Sequence, residues 1–249
     1  VVNLWDINNK RFSKTGIPMD IPKDEDIKAL LDLVDYHNII INEDNKTVFL
    51  SEVGMSIDLG SIVKGYAANK IRDFLQEKGI TRAVINVAGN IITMGYNHYK
   101  GEDKEWKINV QTPYESYGET NTFGYFLKTD ATAVTSGSYE RFILSEDGKE
   151  YHHILDPRTG YPSDSDLLSI SIITTDSMVA DALSTATFCL GFQRGYELVE
   201  NLPGIEAIFV TTDKEVYVST GLKDNFVFNE AVEKIGYIYK GVKENGTTN

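Results

Sequence analysis

Apolar and polar positions along the chain predict mostly short strands, with a few helices between them. Apolar residues recur at helical spacing over 27–34, after an acidic start, which predicts an amphipathic helix. Two short runs rich in β-formers, 38–41 and 47–50, follow, and the polar residues between them are typical of a hairpin turn. The first fifty residues therefore predict one helix and one hairpin.

A third short run, residues 57–59, predicts a strand that stops at a Gly-Ser pair, where a second helix begins. Gly79 stands where glycine usually ends a helix. The predicted apolar face of this helix consists of Ile62, Val63, Tyr66, Ala67, Ile71, Phe74 and Leu75.

The middle of the chain is predicted to be mostly β, with strands at 83–87, 91–94, 106–111, 124–128, 141–144, 151–155 and 168–174. An Asp-Gly pair within 146–149 predicts a hairpin. Residues 177–190 are apolar nearly all round, which predicts a buried helix that Gly191 ends, and a further helix is predicted from about 194 to 201. A late hairpin is predicted from the runs 205–210 and 215–218.

Few predicted strands are joined by helices, so the pattern favours an α+β fold, a layered α/β domain with a largely antiparallel sheet. The chain has 249 residues, of which 41% are hydrophobic and 24% charged, as in an ordinary globular protein. We predict a single domain over residues 1–240 and a flexible tail over 241–249.

The formal net charge is −13, and no stretch gathers a basic patch, so nucleic acid is a poor candidate partner. A phosphate ligand would need a cation. Cys189 is the single cysteine and lies in an apolar run, so we expect a buried residue and no disulfide. The pattern predicts neither a signal peptide nor a membrane span. The apolar start without an initiator Met suggests that the chain begins inside a larger protein.

Residues 58–66 place a carboxylate, a Gly-Ser pair and Lys64 at a strand-to-helix junction. Free backbone N–H groups and the helix dipole make such a junction an anion site, although the glycine spacing is not that of a Walker sequence. In the alternative interpretation, Ser61 caps the helix and Lys64 is a solvated surface residue.

Asp181 and Thr185 are four residues apart in the predicted buried helix, so their oxygens lie on one face. Two hard oxygen ligands a turn apart suit Mg²⁺, which completes its octahedron with phosphate and water. Alternatively, the threonine bonds back to a carbonyl and the carboxylate pairs with Lys or Arg. Either arrangement would offset the cost of an aspartate in an apolar helix.

Residues 153–160, His-Ile-Leu-Asp-Pro-Arg-Thr-Gly, end a predicted strand in a polar turn. His153 suits proton transfer near neutrality, and Arg158 could grip phosphate or hold Asp156. The same residues also fit a purely structural turn with an Asx-type bond. Residues 135–141 form a small-residue loop that would let backbone approach a ligand closely, but this signal is weak alone.

In this order, four blocks resemble the ApbE family of flavin transferases, which move FMN from FAD onto a threonine or serine of a target protein with Mg²⁺. The blocks are residues 54–67, 135–141, 153–160 and 180–186, and the resemblance covers roughly residues 1–220. Four ordered blocks with their spacing are more specific than any one of them. The resemblance implies an ApbE-like fold related to the T-fold.

The resemblance also implies roles for individual residues. Asp181 and Thr185 match side-chain ligands of Mg²⁺, and Ser61 matches the position that completes the metal site through its carbonyl. Positions implied to line the flavin or its pyrophosphate are Asp58, Ser61, Lys64, Ser136, Gly137, Leu155 and Arg158. The residues implied to be catalytic are His153, for proton transfer from the incoming hydroxyl, Asp156, for orienting His153 or Arg158, and Asp181.

The chain departs from the family pattern in two ways. Asn90 stands where the family usually has an aspartate after a glycine pair, so it offers an amide in place of a carboxylate. Family members also carry several dozen residues before the counterpart of Val1, and these contribute to the adenine and flavin pocket. We therefore expect this chain alone to bind FAD poorly.

The resemblance implies first a Mg²⁺-dependent FAD:protein FMN transferase with FAD and an acceptor protein as partners. It also implies an extracytoplasmic location, periplasmic or lipid-anchored to the cell membrane, with the anchor outside this chain. A second hypothesis is a Mg²⁺-dependent FAD pyrophosphatase giving FMN and AMP, and a third is a non-catalytic flavin-binding protein. Detection of AMP, and of FMN bound covalently to a target, would discriminate among the three.

Overall fold

The computed structural model describes residues 1–7, 19–115 and 117–243. The chain divides into two compact units. Unit 1 comprises Val1–Leu59 and Glu140–Asp164, and unit 2 comprises Gly60–Tyr139 and Ser165–Asn249. Each unit is thus formed by two separate segments of the sequence.

The helices in chain order are α1 (Val2–Trp5), α2 (Asp24–Leu31), α3 (Val63–Glu77) and α4 (Ser177–Glu200), with 3-10 turns at Tyr36–Asn38, Thr220–Leu222 and Glu230–Ile235. The strands are β1 (Ile39–Asn42), β2 (Thr47–Leu50), β3 (Ala83–Val87), β4 (Asn90–Met94), β5 (Asn97–Tyr99), β6 (Glu102–Lys104), β7 (Trp106–Gln111), β8 (Thr122–Lys128), β9 (Thr132–Gly137), β10 (Phe142–Leu144), β11 (Glu150–His152), β12 (Leu167–Thr174), β13 (Glu206–Thr211), β14 (Glu215–Val218), β15 (Phe226–Phe228) and β16 (Ile238–Gly241).

Unit 1 contains the predicted helix α2 and two predicted antiparallel hairpins, β1–β2 and β10–β11. Helix α2 begins with three acidic residues, which its N-terminal dipole favours. Its one fully buried side chain, Ile27, packs in a small core with Trp5, Ile7 and Ile143. The indole N–H of Trp5 donates to the carbonyl of Gly160 (2.7 Å), which fixes the end of the polar turn 153–160 against this core.

Unit 2 is built on a seven-stranded sheet with the order β16-β14-β13-β12-β9-β4-β3. All neighbours in it are antiparallel except β14 and β16, so the predicted α+β fold with a largely antiparallel sheet is confirmed. A second sheet, β15-β8-β7, contributes Phe123 and Phe126 to a core shared with Ile208 and Val218. Helix α4 packs on β9 and β12. Because it contacts both α4 and this core, β12 is buried along most of its length.

Helix α4 begins and breaks where the sequence predicts. The side chain of Asp176 caps it by accepting the N–H groups of Met178 and Val179 (2.9 and 3.0 Å). Gly191 adopts a left-handed, non-helical conformation (φ 77°, ψ 176°), which divides α4 into two helical segments. Asp166 then accepts the N–H of Phe192 (2.7 Å) at the start of the second segment.

Helix α3 lies where predicted, but its predicted apolar face is only partly buried. Val63, Tyr66, Ile71 and Phe74 are exposed, whereas Gly65 and Ala68 are buried. A Cβ on Gly65 would lie 2.1 Å from the carbonyl oxygen of Ser177 in α4. Small residues therefore let α3 approach the backbone of α4. The helical spacing of apolar residues in the sequence does not reveal this contact.

Some other predictions are also wrong. Residues 57–59 form no strand, and the predicted small-residue loop 135–141 begins as the end of β9, where Gly137 pairs with Ser169 of β12. The sequence pattern missed the short pair β5–β6 and the edge strands β15 and β16, which have too few residues for a clear alternation.

Cys189 is half-buried rather than fully buried. Among the described residues, no helix has the length and apolar character needed to cross a bilayer. Strand β16 ends at Gly241, and most of the predicted flexible tail, residues 244–249, lies outside the described residues.

We predict that Gly65→Ala lowers the free energy of unfolding by about 2–3 kcal/mol, because the added methyl group overlaps the backbone of Ser177. At an unconstrained helix position, the same substitution would raise the free energy of unfolding by roughly 0.5–1 kcal/mol. The sign of the change therefore shows whether the close contact with α4 is present. Urea denaturation measures it. Lys70→Ala, on an exposed position of α3, serves as the control and should change stability by less than about 0.5 kcal/mol.

Candidate functional site

The N-terminus of α3 is capped by a residue of α4. The structural N-cap position is Ile62, which supplies no side-chain hydrogen bond, so the interpretation of Ser61 as the cap is wrong. Instead, the Oδ2 atom of Asp181 accepts the N–H of Gly65 (2.9 Å). A carboxylate at this end of a helix satisfies an orphan N–H group and interacts favourably with the helix dipole.

Asp181 is also the partner of Lys64. The Nζ atom of Lys64 lies 3.8 Å from Oδ1 of Asp181, and the side chains are 28% and 4% exposed, respectively. A buried carboxylate is costly unless it is hydrogen-bonded or paired with a cation, and Asp181 is both. Lys64 is therefore not simply a solvated surface residue.

Hydroxyl groups of α4 and β9 form a chain of contacts that reaches the backbone of Asp181. Thr185 donates its hydroxyl to the backbone carbonyl of Asp181 (3.4 Å), as the structural alternative predicted. The Oγ atom of Ser136, in β9, lies 2.8 Å from Oγ of Ser184 and 3.5 Å from Oγ1 of Thr185. Unit 2 thus brings together Lys64, Ser136, Asp181 and Thr185.

Gly137 follows Ser136 at the end of β9. A Cβ at this position would lie 2.5 Å from the ring of Tyr139, so the glycine leaves room for that ring. Ser61 lies just before α3 and is partly exposed. In the sequence, Gly137 is thus next to Ser136, and Ser61 is three residues before Lys64.

The donors in this group are compatible with a hard cation such as Mg²⁺. The described residues contain no cluster of three or more His, Cys, Asp and Glu side chains suited to a metal, so a thiolate- or imidazole-rich site is not formed here. One buried carboxylate, with threonine and serine hydroxyls nearby, is an all-oxygen set. Mg²⁺ is usually held by one or two carboxylates together with substrate phosphates and water, and this chemistry fits.

Unit 1 contains a cavity of about 550 Å³. Asp58, Leu155 and Asp156 line it, and this size is typical of small-molecule sites. An apolar part of its wall is formed by Leu30, Leu33, Val34 and Ile39. A smaller cavity of about 130 Å³ shares Asp58 and Leu155 with it and is also lined by His153. Unit 1 thus gathers four of the predicted site residues.

The ring of His153 is oriented by the backbone of Arg141. Its Nδ1 atom lies 3.2 Å from the carbonyl oxygen of Arg141, which can only accept a hydrogen bond. The neutral ring therefore carries its proton on Nδ1 and its lone pair on Nε2, the tautomer that can accept a proton at Nε2.

Arg158 holds Asp156, one of the two roles that the sequence left open. Its guanidinium donates to both carboxylate oxygens, with distances from 2.6 to 3.1 Å, and its backbone N–H donates to Oδ1 (2.9 Å). The Arg158 side chain beside Asp156 holds the pKa of that carboxyl below its usual range. The Asp156 carboxylate thus closes the predicted Asx-type turn and anchors Arg158.

Two further polar side chains, those of His152 and Asn90, are partly or fully buried. His152 donates from Nε2 to the carbonyl of Ser163 (3.0 Å), and burial lowers its pKa, so it is a neutral structural residue. Asn90 is buried at the start of β4, and its side-chain nitrogen has no hydrogen-bond partner among the described residues.

Sequence reasoning missed the role of Gly65, although a glycine inside a predicted helix was the available signal. It also missed the cavity residues contributed by Val1, Val2, Asn3 and Tyr36. These residues come from separate short elements, and no motif marks them.

Comparison with known proteins gives a consistent result. The sequence model of the ApbE family matches residues 1–209. An FAD:protein FMN transferase from Klebsiella pneumoniae is 37% identical over 220 residues, which is 88% of this chain and 64% of that protein. The FAD:protein FMN transferase of Treponema pallidum is 34% identical over 233 residues, 90% of this chain and 62% of that protein.

Solved structures give the same family. The crystal structure of the ApbE protein from Thermotoga maritima superposes with a TM-score of 0.73 at 30% identity, covering 82% of this chain and 64% of that one. The flavin transferase ApbE from Vibrio cholerae superposes with a TM-score of 0.72 at 25% identity, covering 90% and 68%. The chain spans less than two thirds of the length of the curated relatives named above.

We predict that Arg158→Gln lowers the free energy of unfolding by about 1 kcal/mol at pH 7, a small value because the arginine side chain is 68% exposed. The pKa of Asp156 is depressed in the folded state, so this stabilisation is present above the unfolded-state pKa of about 3.9 and disappears as pH falls through the folded-state pKa.

Urea denaturation at several pH values measures this difference. The stability gap between Arg158→Gln and the parent protein should shrink toward zero in acid. Arg194→Gln removes the same charge from an exposed position of α4 and should show no such trend. A gap at Arg158 that stays constant down to pH 2 would contradict the assignment.

Proposed function

Because this chain belongs to the ApbE family, we propose that it carries the catalytic centre of an FAD:protein FMN transferase. The reaction moves FMN from FAD to a threonine or serine hydroxyl of an acceptor protein and releases AMP. The names of the relatives from Klebsiella pneumoniae and Treponema pallidum support this assignment, since the alignment with each relative covers most of this chain.

The observation that carries the proposal is the arrangement at the start of α3. Asp181 approaches Gly65 and Lys64, which combines a buried carboxylate with the N-terminal end of a helix and a lysine. The carboxylate suits a cation, and the helix end with the lysine suits an anion. A metal-bound diphosphate supplies both the cation and the anion. This explains how an acidic chain would recognise FAD.

In this proposal, Asp181, Thr185 and the carbonyl of Ser61 hold Mg²⁺. When bound, Mg²⁺ would neutralise the negative charge that develops on the phosphates. Lys64 would contact the pyrophosphate, and Ser136 and Gly137 would lie beside it. Asp58 and Leu155 would contact the flavin in the 550 Å³ cavity of unit 1, whose apolar wall suits an aromatic ring system.

In the transfer step, the acceptor hydroxyl oxygen forms a bond to the FMN-side phosphorus, and the bond from that phosphorus to the AMP oxygen breaks. The hydroxyl proton moves to Nε2 of His153, the nitrogen that the hydrogen bond from Nδ1 to Arg141 leaves with a lone pair. Asp156 has a positioning role, because it holds Arg158 and the turn that follows His153.

We further propose that the complete protein acts outside the cytoplasm, periplasmic or lipid-anchored to the cell membrane, as the family resemblance implies. Its macromolecular partner is an acceptor domain that presents a threonine or serine for flavinylation.

We predict that Asp181→Asn reduces FMN transfer by at least about 100-fold, because it removes the charge that the metal requires. Asparagine keeps an oxygen that can accept the N–H of Gly65, so the contact between α3 and α4 is retained. The measurement incubates the full-length protein with FAD, Mg²⁺ and a candidate acceptor domain and looks by mass spectrometry for an FMN-sized gain on the acceptor.

A gain that requires both Mg²⁺ and Asp181 is the expected outcome. Release of AMP and free FMN in equal amounts, with every tested acceptor unmodified, would favour the FAD pyrophosphatase. Unaltered FAD in all samples would contradict catalysis and leave flavin binding as the function.

We predict that His153→Gln lowers the rate of FMN transfer by roughly 100-fold or more, the usual contribution of a positioned general base. Metal binding should remain unchanged, because the metal donors belong to other residues. Single-turnover transfer at saturating FAD measures the rate, and Mn²⁺ binding provides the control. Equal transfer rates in the variant and the parent protein would exclude His153 as the base.

A further inference from the structure

The two oxygens of the Asp181 carboxylate have different surroundings. Oδ2 accepts the backbone N–H of Gly65 at 2.9 Å, whereas Oδ1 lies 3.8 Å from the Nζ atom of Lys64. A separation of 3.8 Å is too long for a hydrogen bond, so charge rather than a hydrogen bond keeps the ammonium group there. The oxygen that Gly65 does not bond therefore faces a cation that belongs to the protein.

Helix α3 itself does not explain the position of Lys64. Lys64 is the second residue of α3, and a cation in the first turn of a helix interacts unfavourably with the helix dipole. The side chain is also mostly buried, which is costly for an ammonium group. The buried carboxylate of Asp181 is the interaction that offsets both costs.

We propose that Lys64 and a divalent cation exchange at Oδ1 of Asp181. This inference rests on the metal site in the proposed function. A metal ion bonded to Oδ1 and an ammonium group 3.8 Å from the same atom repel each other strongly at this depth. The flexible four-carbon stem of lysine lets Nζ leave when the metal arrives.

Lys64 thus has one partner in each state. Without metal, its ammonium group balances the buried carboxylate of Asp181. With metal and FAD bound, Nζ moves from Asp181 to the pyrophosphate, where the new charge is negative. Metal alone binds weakly because it displaces Lys64 from its counter-ion, the carboxylate of Asp181. FAD strengthens metal binding because its pyrophosphate becomes the new counter-ion of the displaced lysine. By linkage, metal strengthens FAD binding by the same factor.

The first test measures Mn²⁺ binding to the full-length protein without FAD, from the loss of the electron paramagnetic resonance signal of free Mn²⁺. Lys64→Gln should bind Mn²⁺ about tenfold more tightly than the parent protein, a difference of about 1.4 kcal/mol. Lys64→Arg keeps the charge and should bind Mn²⁺ no more tightly than the parent. Lys70→Gln, on an exposed position of α3, removes the same charge away from Asp181 and should match the parent.

The second test measures FAD binding in the presence of saturating Mn²⁺, from the quenching of flavin fluorescence. Lys64→Gln should bind FAD about tenfold more weakly, because the pyrophosphate loses its cation. The same substitution is therefore expected to tighten metal binding and weaken FAD binding. A purely structural role for Lys64 would not change the two affinities in opposite directions, and circular dichroism checks that the variant is folded.

The outcomes separate this inference from the proposed function. If Asp181→Asn abolishes Mn²⁺ binding but Lys64→Gln leaves it unchanged or weakens it, the metal site stands and the exchange is wrong. If Asp181→Asn retains the Mn²⁺ affinity of the parent, or if neither the parent nor Lys64→Gln binds Mn²⁺, the metal site of the proposed function is itself wrong, and the exchange is wrong with it.

Discussion

A single buried carboxylate constrains much of unit 2. Asp181 caps α3 through Gly65 and pairs with Lys64, so it joins the two helices that pack against one another beside the sheet. This contact requires the backbones of α3 and α4 to come close, and only a residue without a side chain permits that at position 65. The requirements of packing and of the proposed chemistry therefore fall on the same few residues.

This coupling explains the character of the site. A carboxylate in a largely apolar helix is unfavourable for folding unless its charge is balanced, and the balance comes from a helix end and a lysine. In the proposed function, the same three groups take part in binding a metal ion and a diphosphate. Chemistry and stability are in tension at Asp181, as is common where a protein keeps a charged group buried for use.

The sequence predicts regular elements well where they are long or end in a clear signal. The break of α4 at Gly191 and the strand β7 follow directly from glycine and from alternation. The buried face of α3 could not be predicted, because its contact depends on Gly65 and on the backbone of Ser177, more than a hundred residues away. Short edge strands such as β15 carry too little pattern to be distinguished from loops.

The candidate site was predictable as four sequence blocks, but not as a geometry. Asp181 and Thr185 could be placed on one helical face from their spacing alone, whereas the contact of Asp181 with Gly65 required the fold. For Arg158, the sequence left two roles open, and the hydrogen bonds to Asp156 identify one of them. Such choices depend on long-range contacts and on side-chain conformation, which local sequence does not determine.

The pairing of β9 with β12 has a consequence for how this architecture can vary. The two strands are neighbours in the sheet, yet the chain between them supplies the segment Glu140–Asp164 of unit 1. Because the ladder holds both ends of this excursion side by side, lengthening it costs little loop-closure entropy, about 0.6 kcal/mol for each doubling. The segment Glu140–Asp164, which contains His153, can therefore change in length or sequence during evolution. The sheet on which the helix of Asp181 packs would keep its register.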